Sequence, residues 1–176
     1  MSGDNCQVIL SHGKSGDKDS PILARIRKEL GSDFEIKTVE FGFANGDKDP
    51  EEESDRLKLA GHIDEEKKNI LVGKSYGGYI STQLAENSNV EKVIVLGFML
   101  HPKNETGSTY PHKQVNQKVE FIIGDRDKYC NPEKLKAEFP DNCIYTIENA
   151  DHSFRPHGEN LEEVIKILKQ KITETI

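Results

Sequence analysis

The sequence predicts a single α/β domain in which helices cover both faces of a mostly parallel, six-stranded sheet. Apolar runs alternate with stretches of helical spacing along the chain, as they do in three-layer α/β sandwiches. The runs are continuously apolar, which is typical of strands buried on both faces. The 176 residues suffice for one core, and no internal repeat or low-complexity tract indicates a second domain, so one domain is expected over 1–176.

Six apolar runs account for the predicted strands. Most are short and rich in β-branched residues, and only the second alternates in part between apolar and polar side chains. Each run is followed by glycine or polar residues, which end a strand. The strands are expected at residues 7–10, 35–43, 70–72, 92–97, 119–124 and 143–147.

Capping residues and apolar spacing predict the helices between these strands. Ser20 before Pro21 starts the first helix, and Asn131 before Pro132 starts a short one. The last helix is expected from Asn160, and it carries its apolar residues on one face. A helix after the second strand begins in the acidic run 47–55, which we interpret as a solvated face that complements the helix dipole.

Composition and charge exclude several classes of protein. With 24 basic and 31 acidic residues the net charge is -7, so a nucleic-acid partner is not expected. No apolar run reaches membrane-spanning length, and the N-terminus passes into a strand rather than a signal sequence. Cys6, Cys130 and Cys143 show no metal-binding spacing and are expected to be free thiols in a reducing compartment, with the cytoplasm as the default location.

A short motif at residues 73–77, Gly-Lys-Ser-Tyr-Gly, lies between the third predicted strand and a stretch with helical spacing. It fits the pattern G-x-S-x-G, whose glycines make room for a serine in a strained turn between strand and helix. Ser75 is therefore the candidate nucleophile, although a serine here could instead cap the helix. A phosphate-binding loop is rejected because Lys68 occupies the position of its first glycine and the strand runs straight into the motif.

Acidic and basic partners for Ser75 follow later strands. The carboxyl ends of parallel strands meet at one edge of a sheet, so residues after different strands converge there. His152 follows the sixth strand and is favoured as the base over His157 in the same loop, because it lies nearer the strand end. Asp127 follows the fifth strand and is favoured as the acid over Asp125, which is expected to bond within the turn. The order Ser, Asp, His is the one expected of an α/β-hydrolase triad.

Further residues are expected to bind the substrate. The backbone N–H groups of Tyr76 and Lys14 are candidate oxyanion donors, since one follows the nucleophile and the other lies in the loop after the first strand. Lys14 and Lys74 are otherwise typical of surface lysines, although the charge of Lys74 beside the nucleophile would favour anionic intermediates. The candidate lining of the acyl pocket is a run at the end of the fourth strand, Phe98, Met99 and Leu100.

Three motifs carry a resemblance to a known family: Gly-Lys-Ser-Tyr-Gly-Gly at 73–78, Gly-Asp-Arg-Asp at 124–127 and Ala-Asp-His-Ser-Phe at 150–154. Together they resemble the small, lidless α/β hydrolases. That family includes dienelactone-hydrolase-like esterases and a group typified by a testis-expressed protein and a subunit of the histone-acetyltransferase NSL complex. The resemblance implies a minimal α/β-hydrolase fold without a lid domain, and segment 101–117 is long enough only for a short flap. It also implies a nucleophile, an acid and a base at Ser75, Asp127 and His152.

The expected activity is that of a serine hydrolase of the esterase or thioesterase type, acting through an acyl-enzyme on a small or modest-sized acyl substrate. Such chemistry requires no metal and no cofactor. Two alternatives remain at this point. One is a non-catalytic interaction module that keeps the hydrolase fold as a binding surface. The other is transfer of the acyl group to an acceptor other than water.

Overall fold

Six parallel strands form one sheet through the part of the chain that the structure, a computed structural model, describes: residues 5–46, 51–100, 115–155 and 158–176. The strands are β1 (Cys6–Ser11), β2 (Glu35–Val39), β3 (Lys68–Lys74), β4 (Val90–Leu96), β5 (Val119–Gly124) and β6 (Ile144–Ile147). Their order across the sheet is β2-β1-β3-β4-β5-β6, and every neighbouring pair is parallel. The prediction of a parallel sheet of six strands is confirmed.

Helices cover both faces of this sheet. Among the described residues they are α1 (Pro21–Leu30), α2 (Glu52–Ala60), α3 (Tyr76–Thr82), α4 (Pro132–Glu138) and α5 (Glu159–Thr173). On one face, α1 and α5 contribute buried residues such as Leu23 and Leu168 to a single apolar cluster. On the other face, α2, α3 and α4 contribute Leu59, Ile80 and Leu135 to a second cluster. The result is the three-layer sandwich that the sequence predicts.

The central strands bury both of their faces, which explains their continuous apolar sequence. In β1, Val8 and Leu10 enter the cluster beneath α1 and α5, whereas Ile9 between them enters the opposite cluster. All three are fully buried. Since successive side chains of a strand point to opposite faces, a strand between two helical layers must be apolar at every position.

The second strand is shorter than predicted. β2 ends at Val39, and Gly42–Asn45 forms a short 3-10 helix instead of continuing the strand. The backbone N–H of Phe41 donates to the His12 ring at 2.8 Å, and that of Gly42 donates to the Asp55 carboxylate at 3.1 Å. These side chains accept the backbone hydrogen bonds that a neighbouring strand would otherwise accept. The chain therefore leaves the sheet after Val39, although the sequence pattern predicts a strand to residue 43.

The acidic run after β2 is only partly a solvated face. Asp55 in α2 is fully buried and accepts hydrogen bonds from the Gly42 N–H and the Tyr76 hydroxyl, both at 3.1 Å. The solvated interpretation is therefore wrong for this residue. Asp55 precedes the buried Leu59 by four residues and so lies on the same face of α2.

Other expectations concern the cysteines, the flap and membrane spans. Cys6, Cys130 and Cys143 are all free, as predicted. The segment expected to form a short flap lies outside the described residues except for 115–117. In the described part of the chain, none of the helices combines the length and the apolar character needed to span a bilayer.

Candidate functional site

The turn between β3 and α3 holds Ser75 in a conformation that residues other than glycine rarely adopt. Its φ is 51° and its ψ is -111°. A Cβ on Gly73 would lie 2.4 Å from the backbone of Gly77, and one on Gly77 would lie 2.6 Å from the carbonyl oxygen of Ser11. Glycine is therefore required on both sides of Ser75, which is the crowding that the motif predicts.

Three loops bring Ser75, His152 and Asp127 together. The Oγ of Ser75 lies 2.9 Å from Nε2 of His152, and Nδ1 of His152 lies 2.8 Å from Oδ2 of Asp127. Because a carboxylate accepts but does not donate, Nδ1 carries the ring proton and Nε2 accepts from the hydroxyl. Ser75 makes no capping hydrogen bond to α3, although it occupies the capping position. The alternative base, His157, lies outside the described residues.

Of the two carboxylates that follow β5, Asp127 is the one that faces the imidazole. Its Oδ1 accepts the backbone N–H of Tyr129 at 2.8 Å, while Oδ2 accepts from His152, so both oxygens have partners. Asp125 is exposed, and its backbone N–H donates to the carbonyl of Ile147. The two short bonds fix the Asp127 carboxylate, which in turn orients the ring of His152.

The surroundings of His152 favour its neutral form. Burial lowers the pKa of the imidazole below its ordinary value, and the positive charge of Lys74 lowers it further. The hydrogen bond and charge of Asp127 act in the opposite direction without reversing the shift. The ring of Tyr129 packs edge-on against the imidazole with ring centroids 4.8 Å apart, and it shields that side of the ring from water.

A second histidine, His12, fixes the loop beside Ser75. It is fully buried; its Nε2 accepts the N–H of Phe41 and its Nδ1 donates to the carbonyl of Gly13, both at 2.8 Å. A Cβ on Gly13 would lie 3.4 Å from Cβ of Ser75, so this loop passes directly over the serine. His12 is not among the site residues that the sequence predicts. The available signal was its place directly after a buried strand, where a polar side chain needs partners.

The side chain of Tyr76, the residue after Ser75, is buried and held from two sides. Its hydroxyl donates to Asp55, and its ring packs edge-on against Phe43 with centroids 5.0 Å apart. The ammonium of Lys14 lies 5.4 Å from the centre of the Phe43 ring and 5.8 Å from that of Tyr76. These contacts connect the loop after β1 to the start of α3, next to the serine.

Lys74 is buried, so the interpretation of this residue as a surface lysine is wrong. It is 9% exposed, and its ammonium lies 5.9 Å from the centre of the Phe154 ring. Burial lowers the pKa of Lys74 to about 8, against the opposing charges of Asp127 and Asp151. Lys14, by contrast, is exposed as expected.

The run expected to line an acyl pocket lies mostly in the core. Phe98 is 1% exposed and packs edge-on against Phe121 with ring centroids 5.2 Å apart. Leu100 is also buried, and Met99 is half-buried. A role in acyl binding stays a prediction for all three. Nearby Cys130 is buried, and burial raises its pKa to about 12, which keeps it a thiol at neutral pH.

The arrangement can move a proton between a hydroxyl and an imidazole whose orientation a carboxylate fixes. The hydrogen bonds of His152 to Ser75 and to Asp127 both lie at the carboxyl ends of the strands, next to the loops that follow β1, β5 and β6. Within the described residues, His, Cys, Asp and Glu side chains form no group of three or more that could hold a metal ion. The hydroxyl, imidazole and carboxylate at this site are groups that serve acid–base and nucleophilic chemistry.

Comparison with known families agrees with the fold. The model of an α/β-hydrolase domain family matches residues 4–176. A comparison with curated proteins gives no significant match.

Solved structures with the same architecture come from several bacteria. XC6422 from Xanthomonas campestris, described as a serine hydrolase without lid, gives a TM-score of 0.77 at 14% identity over 96% of this chain and 81% of that one. A serine hydrolase homologue from Coxiella burnetii gives 0.68 at 16% identity over 94% and 84%. Est1E from Butyrivibrio proteoclasticus, with ferulic acid bound, gives 0.69 at 17% identity over 97% and 90%. These likenesses show that the chain has the α/β-hydrolase fold.

Proposed function

We propose that this chain, which belongs to the α/β-hydrolase domain family, is a serine hydrolase that cleaves an ester or thioester of a small or modest-sized acyl group. The observation that carries the proposal is the continuous hydrogen-bonded chain from Ser75 through His152 to Asp127, at 2.9 and 2.8 Å. The strained backbone of Ser75 supports the proposal, because residues in such strained conformations cluster at active sites.

In this mechanism His152 takes the hydroxyl proton while Oγ of Ser75 attacks the acyl carbon, and the carbonyl electron pair moves onto oxygen. The tetrahedral intermediate collapses, the bond to the alcohol or thiol breaks, and His152 gives its proton to the leaving group. Water then attacks the acyl-enzyme with His152 again as base. This second step releases the acid and restores the Ser75 hydroxyl. Asp127 keeps the imidazole in the required tautomer throughout.

The oxyanion is stabilised by two backbone N–H groups, those of Tyr76 and Lys14. The proximity of the loop after β1 to Ser75 supports this assignment, since a Cβ on Gly13 would nearly touch the serine. Each such donor contributes about 3 kcal/mol to transition-state stabilisation in serine hydrolases. The hydrogen bond from the Tyr76 hydroxyl to Asp55 anchors the start of α3, and the bond from His12 to the Gly13 carbonyl fixes the loop after β1.

The proposed small or modest size of the acyl group rests on the resemblance to hydrolases without a lid domain. The three sequence motifs and the likeness to a serine hydrolase without lid favour a small, dienelactone-hydrolase-like esterase with an open site. In that case Met99 is the best placed of the three predicted pocket residues, because it is half-buried where Phe98 and Leu100 are buried in the core.

A fluorophosphonate probe tests the proposed nucleophile directly. We expect stoichiometric labelling of the native protein, with the phosphonyl group on Ser75 in the peptide mass spectrum. The Ser75→Ala variant should take up no probe, whereas Ser15→Ala, which removes an exposed serine of a neighbouring loop, should label as the native protein does. A folded native protein that resists the probe would instead favour a non-catalytic interaction module.

The pH dependence of hydrolysis tests the proposed base. His152 accepts a proton only when neutral, and burial holds its pKa below the ordinary value. Activity should therefore rise with pH through that pKa, with a midpoint below about pH 6.5, the ordinary histidine value. The measurement is kcat/KM for p-nitrophenyl acetate across the acidic range, with circular dichroism to show that the fold persists. An acidic limb centred above neutral pH would contradict this assignment.

A further inference from the structure

Lys74 has a buried charge that the proposed mechanism does not use. The residue ends β3 directly before Ser75, and its side chain points to the face that α1 and α5 cover, where Val72 precedes it. It is 9% exposed, and the apolar ring of Phe154 lies under its ammonium at 5.9 Å. Burying an ammonium costs free energy, so a solvated position would be preferred unless the charge acts on something nearby.

The ammonium and the imidazole of His152 border the same small space. A Cβ on Gly97 would lie 3.0 Å from Nζ of Lys74 and 3.3 Å from Cε1 of His152. Gly97 has φ 66° and carries no side chain that could separate the two groups. The ammonium therefore lies beside the carbon between the two ring nitrogens, close to where a positive imidazolium would carry its charge.

In the described part of the chain, three charged side chains act on the imidazole of His152. From the loop after β5 comes the carboxylate of Asp127, hydrogen-bonded to Nδ1, and from the histidine's own loop comes Asp151. Arg155 already pairs with Asp151 at 2.9 Å. β3 contributes Lys74, and its charge opposes both carboxylates in their effect on His152. Burial lowers the pKa of Lys74 to about 8, so the ammonium persists over the acidic range in which a histidine titrates.

We propose that Lys74 is a positioning residue whose buried ammonium offsets the two carboxylates near His152 and so keeps the resting imidazole neutral and able to accept the Ser75 proton. Without it, the carboxylates would raise the pKa of His152 against the effect of burial. A larger fraction of resting molecules would then carry a proton on Nε2, which cannot act as base in that form. The kinetic part of this proposal rests on the proposed hydrolase function. Its electrostatic part does not.

The transition state is affected less than the resting state. As the proton reaches His152, negative charge develops on the substrate oxygen close by. The ammonium repels the new imidazolium but attracts the new oxyanion, and these two effects largely cancel. The main effect of Lys74 is therefore on the fraction of molecules that are ready to react at a given pH.

The test is the titration of the His152 ring followed by NMR in the full-length protein. The chain has six histidines, and the signal that disappears in His152→Gln identifies the ring. In Lys74→Met, which keeps the apolar stem and removes the charge, the midpoint should rise by about one pH unit. In Lys74→Arg, which keeps the charge, it should stay near the native value. If the methionine variant does not fold, Lys74→Gln provides the same comparison.

Kinetics provide the second readout. At about pH 6 the Lys74→Met variant should lose up to about tenfold in kcat/KM, and the loss should shrink as the pH rises above the new midpoint. A folded Lys74→Met or Lys74→Gln protein whose His152 midpoint equals the native one overturns the proposal. If the native protein hydrolyses no ester but the midpoint shifts as expected, the electrostatic role of Lys74 stands and the proposed hydrolase function fails.

Discussion

Replacing His152 by glutamine is expected to lower kcat for ester hydrolysis by about 10⁴-fold or more. Glutamine fills a similar volume and can hydrogen-bond, but it cannot take a proton from Ser75 at 2.9 Å. Residual activity would come from the oxyanion donors and substrate binding alone, so KM should change little. Steady-state kinetics with p-nitrophenyl acetate give both constants.

The matched control for this variant is His62→Gln. His62 lies in the loop between α2 and β3, at the amino ends of the strands and away from the site. Its Nδ1 bonds to the carbonyl of Lys58. Its replacement should leave kcat within about twofold of native, as most surface substitutions do. A His152→Gln protein that keeps more than a tenth of native kcat would show that another group is the base.

A single methyl group on Gly77 is expected to destabilise the protein by about 3 kcal/mol or more and to abolish probe labelling at Ser75. The Cβ of Gly77→Ala would lie 2.6 Å from the carbonyl oxygen of Ser11 and 2.7 Å from that of His12. Both are backbone atoms of the central sheet and the loop that follows it, so they cannot rotate away. Helix α3 must move off the sheet and take the strained turn with it.

Urea denaturation measures this loss, and Gly61→Ala is its control. Gly61 follows α2 with φ -65°, and a Cβ there would meet only carbonyl oxygens of its own helix at 3.5 Å, an ordinary contact. The free energy of unfolding of the Gly61→Ala variant should differ from native by less than about 1 kcal/mol, because alanine adopts this conformation without strain. If Gly77→Ala unfolds at the same urea concentration as native, the close approach of α3 to β1 is not needed for the fold.

The parallel sheet could be predicted because it depends on local pattern. The run 70–72 is apolar at every position, and the motif that follows it requires glycine on both sides of one serine. In the structure these features become a buried β3 and the tight approach of Gly73 to the backbone of Gly77. Both the apolar run and the motif can be recognised within a few consecutive residues, although the crowding at Gly77 itself comes from the distant backbone of Ser11 and His12.

The contacts that escaped prediction join distant parts of the chain. The end of β2 at Val39 depends on acceptors from His12 and Asp55, neither of which belongs to that strand. The burial of Lys74 depends on Phe154, eighty positions away, which covers it on the helical side. Local spacing carries no information about such partners, so an acidic run and a lysine were expected to face water.

The separation of Ser75 and His152 along the chain, 77 positions, also constrains how the protein folds. The serine follows β3, a central strand of the sheet, whereas the histidine follows β6, which is an outermost strand. A nascent chain that has paired only its first three strands therefore contains the turn but not the imidazole. Because such long-range pairings form late and slowly, the meeting of these two side chains during refolding marks completion of the sheet rather than early collapse.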